Sequence, residues 1–260
     1  VLFQVENVSL DVAGRPVLRN VSFDVRPGER VVLLGVNGCG KTTLLKLLDG
    51  LLVPDTGRIS YAGTRLAARA FDDPHFRRNF RGEVALLFQN VDAMLFNPSV
   101  ADEISFGLRQ LGSGATEPQV ERWAETFGVT ELLERPPFEL SGGEKKRVAL
   151  AALFAIDPKV LLLDEVTANL DPGWSARVID FLAGLDGITT IAATHNLSVA
   201  DELGSRAILL APDHGGILFD GPTEQILGND QLLVASGLAH RHAHSHAGKR
   251  HAHFHLHEPD

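Results

Sequence analysis

The chain has 260 residues, with 24 Lys and Arg against 33 Asp and Glu, and a formal net charge of −9. That acidity argues against non-specific nucleic-acid binding, which needs a basic face. No apolar run approaches the length of a bilayer span, no secretory signal opens the chain, and the single cysteine, Cys39, leaves no disulfide framework and fits a reducing cytosol.

Two runs of alternating apolar and polar residues, Phe3 to Leu10 and Val17 to Val25, flank Gly14-Arg15-Pro16 and predict a hairpin, so an antiparallel sheet comes first. Arg30 to Leu34 predicts a short buried strand. It runs into Gly35-Val36-Asn37-Gly38-Cys39-Gly40-Lys41-Thr42-Thr43, which fills every fixed position of the pattern G-x-x-x-x-G-K-[ST]. Thr43 to Gly50 then reads as a helix closed by a glycine. This strand–loop–helix setting is the one the motif requires. The glycines let backbone N–H groups turn onto phosphate oxygens, and the helix N-terminus adds the positive end of its dipole. Gly35, Asn37, Gly38, Cys39, Gly40, Lys41, Thr42 and Thr43 would therefore hold a nucleoside triphosphate, with Lys41 on the β- and γ-phosphates and Thr42 on Mg²⁺.

Further along, Arg58 to Tyr61 predicts an edge strand, Phe71 to Arg81 a charged surface loop, and Glu83 to Phe88 a buried strand. Ser99, with Asp102 at capping-box spacing, predicts a helix through Leu111. Glu117 to Phe127 predicts a second, and Pro136-Pro137 breaks the run, so a helical insertion spans about 97–156. Strands return at Lys159–Asp164, Ile188–Thr194 and Arg206–Leu210, and the helix between the first two carries Trp174, Val178, Phe181, Leu182 and Leu185 on one face. Such alternation predicts an α/β fold whose parallel sheet is covered on both sides. Gly215 to Asp220 is a last strand. The body is expected over 1–238, and the His-rich stretch 239–260 is expected to be a disordered, flexible tail.

Two further stretches carry chemistry. Leu162-Leu163-Asp164-Glu165 is an apolar strand ending in two acids, and a carboxylate at the C-terminal edge of a parallel sheet can hold Mg²⁺ beside a phosphate loop. Asp164 takes that role, and Glu165 is placed to polarise a water against the γ-phosphate. Leu140-Ser141-Gly142-Gly143-Glu144-Lys145-Lys146-Arg147 predicts a helix start with a Ser–Glu cap. The cap does not account for two consecutive glycines, which weaken a first turn. They fit an anion approaching the backbone closely.

Leu140 to Arg147 resembles the signature motif of ABC-type ATPases, and it lies between the phosphate loop and the Asp-Glu strand, as in that family. The resemblance covers about 1–228. It implies the ABC nucleotide-binding fold: a P-loop core sheet, an antiparallel β subdomain and an inserted helical subdomain. Gln89 resembles the Q-loop glutamine that senses Mg²⁺ and the attacking water; Asn169-Leu170-Asp171 resembles the D-loop; His195 resembles the switch histidine on the γ-phosphate. The resemblance further implies ATP and Mg²⁺ as cofactors and a dimer that sandwiches two ATP molecules. Lys41, Thr42, Gln89, Asp164, Glu165 and His195 would act in cis, and Ser141, Gly142 and Gly143 would reach the other chain's ATP. A homodimer follows from one chain carrying both halves, and a heterodimer with a second ATPase subunit is the alternative. Two positions depart from the family pattern: Val166 stands where Pro is usual, and no adenine-stacking aromatic occurs near Asp11-Val12, so purine preference is expected to be weak.

Leu87 to Gly107 resembles the Q-loop and following helix of the energy-coupling-factor importers, with Val91, Ala93 and Met94 in place of that group's Pro, Asp and Gln. This implies an ATPase subunit peripheral to the cytoplasmic face of the membrane. Its partners would be an integral coupling subunit and a substrate-binding membrane subunit. Met94, Leu95, Phe96 and Phe106 offer an apolar surface for a membrane subunit's helix. In the tail, His240, His242, His244 and His246 alternate, as do His251, His253, His255 and His257. Imidazoles at this spacing can converge on Ni²⁺, Co²⁺ or Zn²⁺, which favours cobalt or nickel as cargo. The rivals are an importer of the same build for another substrate, such as biotin, and a soluble metal-storage or metal-sensing ATPase.

Overall fold

The computed structural model describes every residue except 113, 115, 116, 214, 247, 248 and 257–260, and over 240–256 it describes the backbone alone. Strands β1 (Phe3–Val12) and β2 (Arg15–Val25) form the expected hairpin, turning on Ala13-Gly14. Strand β3 (Arg30–Leu34) leads through the glycine loop into helix α1 (Lys41–Leu48). Strand β4 (Thr56–Tyr61) pairs with β1 on one side and with the two-residue β5 (Thr64–Arg65) on the other. The predicted edge strand at Arg58–Tyr61 is thus internal to a four-stranded sheet of order β2-β1-β4-β5.

The predicted surface loop over Phe71–Arg81 is a second correction. Helix α2 (Pro74–Glu83) occupies most of it, started by Pro74 and by Asp73, whose carboxylate accepts the His75 N–H at 2.9 Å. Phe80 is 1% exposed and meets the rings of Phe71, Phe76 and Tyr61 edge-on or stacked. The charges here lie on the wet side of a helix whose aromatic residues, Phe76 and Phe80, stand one turn apart on the other side.

Strand β6 (Val84–Leu87) precedes the helical insertion, which comprises α3 (Val100–Gln110), α4 (Glu117–Thr126) and α5 (Gly142–Ala155). Ser99 caps α3 as expected, accepting the Asp102 N–H at 3.1 Å. Strand β7 (Val160–Asp164), helix α6 (Pro172–Ala183), strand β8 (Thr189–Thr194), helix α7 (Ala200–Leu203) and strands β9 (Arg206–Leu210) and β10 (Ile217–Pro222) complete the core, followed by α8 (Thr223–Leu227) and α9 (Asp230–Ala235). The six-stranded sheet has the order β10-β9-β3-β8-β7-β6, parallel throughout except for the antiparallel edge strand β10.

Alternation along each central strand divides the core between two faces. Val32, Leu34, Leu161, Leu163, Ala192 and Leu209 point into the layer with α3–α6, while Val31, Leu33, Val160, Leu162, Ile191 and Leu210 point toward α1 and the antiparallel sheet. Both faces being buried, β3 and β7 read as nearly continuous apolar runs.

The parallel register decides where chemistry can occur. Leu34 pairs with Thr194, Asp164 with Ala193 and Leu87 with Leu163, so β3, β8, β7 and β6 end at one edge of the sheet. The glycine loop, His195, Glu165 and Gln89 follow those ends directly.

The stretch expected to be a disordered tail is described as two strands, β11 (Ala239–His246) and β12 (Lys249–Leu256), paired antiparallel. Its His-x-His-x alternation has the period of a strand, which composition alone does not register. His257 lies outside the described residues.

Candidate nucleotide site

The glycine loop turns because its glycines hold left-handed backbone conformations. Gly38 has φ +84 and Gly40 φ +103, and a Cβ on Gly40 would come within 2.8 Å of Leu18 Cδ2 and 3.0 Å of the Val17 carbonyl oxygen. Lys41 is 6% exposed, and its ammonium donates to the Gly35 and Val36 carbonyl oxygens at 2.6 and 3.1 Å, across the mouth of the loop. Cys39 is buried within the loop, and burial pushes its thiol above the ordinary range, which favours the protonated form.

Thr42 lies in the first turn of α1 and Asp164 ends β7, and they meet: Thr42 Oγ1 donates to Asp164 Oδ2 at 2.7 Å. Burial raises the Asp164 carboxyl above the usual carboxylate range, the Thr42 hydrogen bond opposes this, and the neighbouring Glu165 charge adds to the rise. A hydroxyl and a buried carboxylate in contact beside a phosphate loop are hard oxygen donors, the set that Mg²⁺ takes while keeping several waters. These residues fit the ion.

Glu165 has φ +49, a left-handed conformation unusual for a residue with a side chain. The ladder over-determines it. Its N–H donates to the Ala193 carbonyl at 3.0 Å, Thr194 Oγ1 donates to its Oε2 at 3.2 Å, and His195 Nδ1 lies 2.7 Å from its Oε1. With Val166 where the family has Pro, this turn is held by hydrogen bonds. Val166 itself is buried in the core.

Two spaces adjoin along the sheet edge. A cleft of about 490 Å³ is lined by Val12, Val17, Gly38, Gly40, Lys41, Thr42, Thr43, Gln89 and Asp164. A groove of about 800 Å³ is lined by Thr167 to Leu170, His195, Asn196, Gly237 and Leu238. Asn37 and Glu165 line both. The cleft can take a triphosphate over the loop, with Val12 and Val17 as the apolar wall for a base. Glu165 stands where its outer end would open on the groove.

Ser141, Gly142 and Gly143 line neither space. They start α5, where Ser141 and Glu144 form a full capping box: the Glu144 carboxylate accepts from the Ser141 N–H at 2.8 Å and from its hydroxyl at 2.7 Å. These bonds hold the Glu144 carboxyl below its usual range. The turn packs on Asn169 (φ +66), whose carbonyl oxygen would lie 3.1 Å from a Cβ on Gly143. Ser141 and Gly142 are exposed. One chain thus brings together the phosphate loop, Gln89, Asp164, Glu165 and His195, and presents the double-glycine turn elsewhere.

The pattern of the ABC transporter family matches residues 18–168. The chain belongs to the ABC transporter ATP-binding family. A relative from Methanosarcina acetivorans, assigned as an ABC transporter ATP-binding protein, is 41% identical over 94% of this chain and 91% of its own. The nickel import ATP-binding protein NikO of Rhodobacter capsulatus is 40% identical over 89% of this chain and 93% of its own. Among solved structures, cbiO1 of Clostridium perfringens, part of the ABC transporter complex cbiONQ, has a TM-score of 0.72 and 28% identity over 90% of this chain and 93% of that one. The dimeric ATP-binding cassette MJ0796, bound to ADP and phosphate after hydrolysis, has a TM-score of 0.77 at 23% identity over 85% of this chain and 99% of that one, a likeness of fold. The ABC cassette binds ATP and is an ATPase.

Several residues of the ABC site escape sequence reasoning. Thr194 holds the second oxygen of Glu165, and its only signal is adjacency to His195. Asn169 is named through its resemblance to the D-loop, but its support of the double glycine crosses a separation that no local pattern reports. Val12 and Val17 line the cleft from the antiparallel sheet.

Proposed function

We propose that this ABC cassette is the ATP-hydrolysing subunit of an energy-coupling-factor importer for nickel or cobalt ions. The body, 1–238, would be the ATPase domain, with its helical subdomain at about 97–156. Closure of an ATP-sandwiched dimer would drive transport. The observation that carries the hydrolytic half is the joint placement of Thr42–Asp164 and Glu165–His195 contacts at one sheet edge, with Ser141–Gly143 lining neither neighbouring space.

In this reading the loop amides and Lys41 bind the β- and γ-phosphates, and Thr42, Asp164 and Gln89 hold Mg²⁺, which supplies charge neutralisation on the phosphates. Glu165 accepts the proton of the attacking water. His195 orients Glu165 and faces the γ-phosphate. Ser141, Gly142 and Gly143 complete the site of the opposite chain in a homodimer, or in a heterodimer with a second ATPase subunit.

Relatedness to NikO across most of both chains supports nickel or cobalt as cargo. The helical subdomain supports a membrane partner. Met94 and Leu95 pack against the core, and Met94 Sδ accepts the Phe88 N–H at 3.4 Å, so these two are structural. Phe96 is 65% exposed and stacks edge-on on Phe106 at 4.9 Å between centroids, a surface suited to a helix from an integral coupling subunit. Among the described residues no helix is long and apolar enough to cross a membrane. Attachment at the cytoplasmic face would therefore come through that subunit, with a second membrane subunit selecting substrate.

The tail, 239–260, would bind divalent metal. The register of β11 and β12 pairs His240 with His255, His242 with His253 and His244 with His251, which supports these six as ligands for Ni²⁺, Co²⁺ or Zn²⁺; His246 stands opposite Lys249, and it and His257 would join them by the spacing of the sequence. Co-purification of the membrane complex from the native cell, with the bound ion identified by mass spectrometry, tests the reading. A complex whose substrate subunit retains biotin, or any other organic compound, and no transition metal would overturn the cargo assignment.

A further inference from the structure

Lys146 is a buried charged residue that the ATP chemistry leaves unused. It lies on α5, five residues after Ser141, and is 0% exposed. Among the described residues its ammonium has no hydrogen-bond partner. A lysine stem often covers apolar surface while its head reaches water, but here the head is enclosed as well. An enclosed ammonium without partners is costly unless charges nearby offset it.

The offsetting charges are Asp164 and Glu165, 2% and 6% exposed. Both act on Lys146 through space, opposing the burial that lowers its pKa to about 8. Neither is bonded to it: Asp164 accepts from Thr42, and Glu165 is held by Thr194 and His195. Two buried acids and one buried, unbonded cation thus form a group held by field alone. Lys41, the other buried cation of the site, directs its ammonium onto loop carbonyls.

We infer that Lys146 is a positioning residue, an internal counter-cation that balances Asp164 and Glu165 and opposes the divalent ion held by Thr42 and Asp164, so that nucleotide and metal load together. It rests on the assignment of Thr42 and Asp164 as Mg²⁺ ligands. The sign of the effect differs for the two ligands. A fixed positive charge attracts the ATP anion and repels the cation. Removing it should weaken metal-free ATP binding and tighten the metal.

The test uses the full chain and Lys146→Met, an apolar residue of similar length. ATP affinity is measured in EDTA by fluorescence titration. Mn²⁺ affinity of the ATP-loaded chain is measured by electron paramagnetic resonance, with Mn²⁺ as the probe for Mg²⁺. Lys146→Met is expected to bind metal-free ATP several-fold more weakly and Mn²⁺ roughly tenfold more tightly, the scale of one partly screened charge. A packing defect would weaken both together, and that result, or Mn²⁺ affinity within twofold of the parent, overturns the inference. Lys146→Arg keeps the charge and should behave as the parent for both ligands. If Lys146→Met shows no cooperative melting transition, Lys146→Gln is subject to the same two criteria. Asp164→Asn should lose Mn²⁺ binding. Retention there would remove the ligand assignment and the inference with it, whereas retention of parent affinities in Lys146→Met alone removes only the inference.

Discussion

Glu165 Oε1 lies 2.7 Å from His195 Nδ1, and the adjacent Thr194 hydroxyl donates to Glu165 Oε2 at 3.2 Å. Consecutive residues at the end of β8 therefore hold both oxygens of a carboxylate that follows β7. The left-handed backbone at Glu165 is kept in place by this clamp and by the N–H bond to Ala193. In its proposed role as general base, a carboxylate so held is aimed before substrate arrives, and reorganisation during reaction is small.

Glu165→Gln should retain ATP binding while hydrolysis falls by at least the ~10²-fold typical of a lost general base. An ATP-bound dimer should accumulate, detectable by size-exclusion chromatography. His195→Ala should bind ATP as the parent does and also turn over more slowly, since Glu165 loses one of its two anchors. Near-parental turnover in Glu165→Gln would place the base elsewhere.

Ser141→Ala should impair hydrolysis without weakening ATP binding to the monomer, because Ser141 lines neither space beside its own phosphate loop. Mixing it with Lys41→Ala should recover activity, as a mixed dimer contains one site with both halves intact. Steady-state ATPase across mixing ratios checks this. No recovery at any ratio, although mixed dimers form, would count against sites shared between chains.

Stability at alkaline pH should carry the mark of Lys146. Burial lowers its folded-state pKa to about 8, while the unfolded chain keeps the ordinary lysine value near 10.4. Between these values the unfolded state binds the extra proton, so stability contributed by this group rises with pH through that window and is flat below it. Urea titrations at pH 7.5 and 9.5 should show the parent gaining on Lys146→Met. A constant difference between the two pH values would mean that Lys146 titrates normally.

The tail can be removed only from residue 240 onward. Leu238 and Ala239 are 3% and 4% exposed, and Gly237 and Leu238 line the groove that contains Glu165 and His195. Deleting 240–260 removes eight of eleven histidines and none of the residues assigned to ATP chemistry. The truncated chain should hydrolyse ATP at close to the full-length rate and lose most Ni²⁺ and Co²⁺ binding in calorimetry near pH 7.5. In the full chain that binding should weaken as pH falls through about 6.5, where imidazoles protonate. Unchanged metal binding after truncation would exclude these histidines as the ligands.

Features that depend on neighbours along the chain are readable from the residues alone. The loop from Gly35 to Thr43 carries its conformation in its glycines, and the Ser141–Glu144 cap in a three-residue spacing, so both were legible. The apolar runs that become β3, β7 and β8 likewise declared a sheet buried on both faces. The error over Phe71–Arg81 has the same origin: local polarity dominated, and the environment that buries Phe80 is assembled from Tyr61 and Phe71 as well as its own helix.

Contacts that strand order brings together come from the folded chain. Thr42 meets Asp164 across 122 positions and His195 meets Glu165 across 30, because β3, β8 and β7 lie side by side and end at one edge. Folding also enclosed Lys146, separated Met94 from Phe96, and put Ser141 outside the chain's own cleft. Hydrogen bonds and burial between distant segments are set by packing of the sheet and its two covering layers, and no local pattern encodes which strands become neighbours.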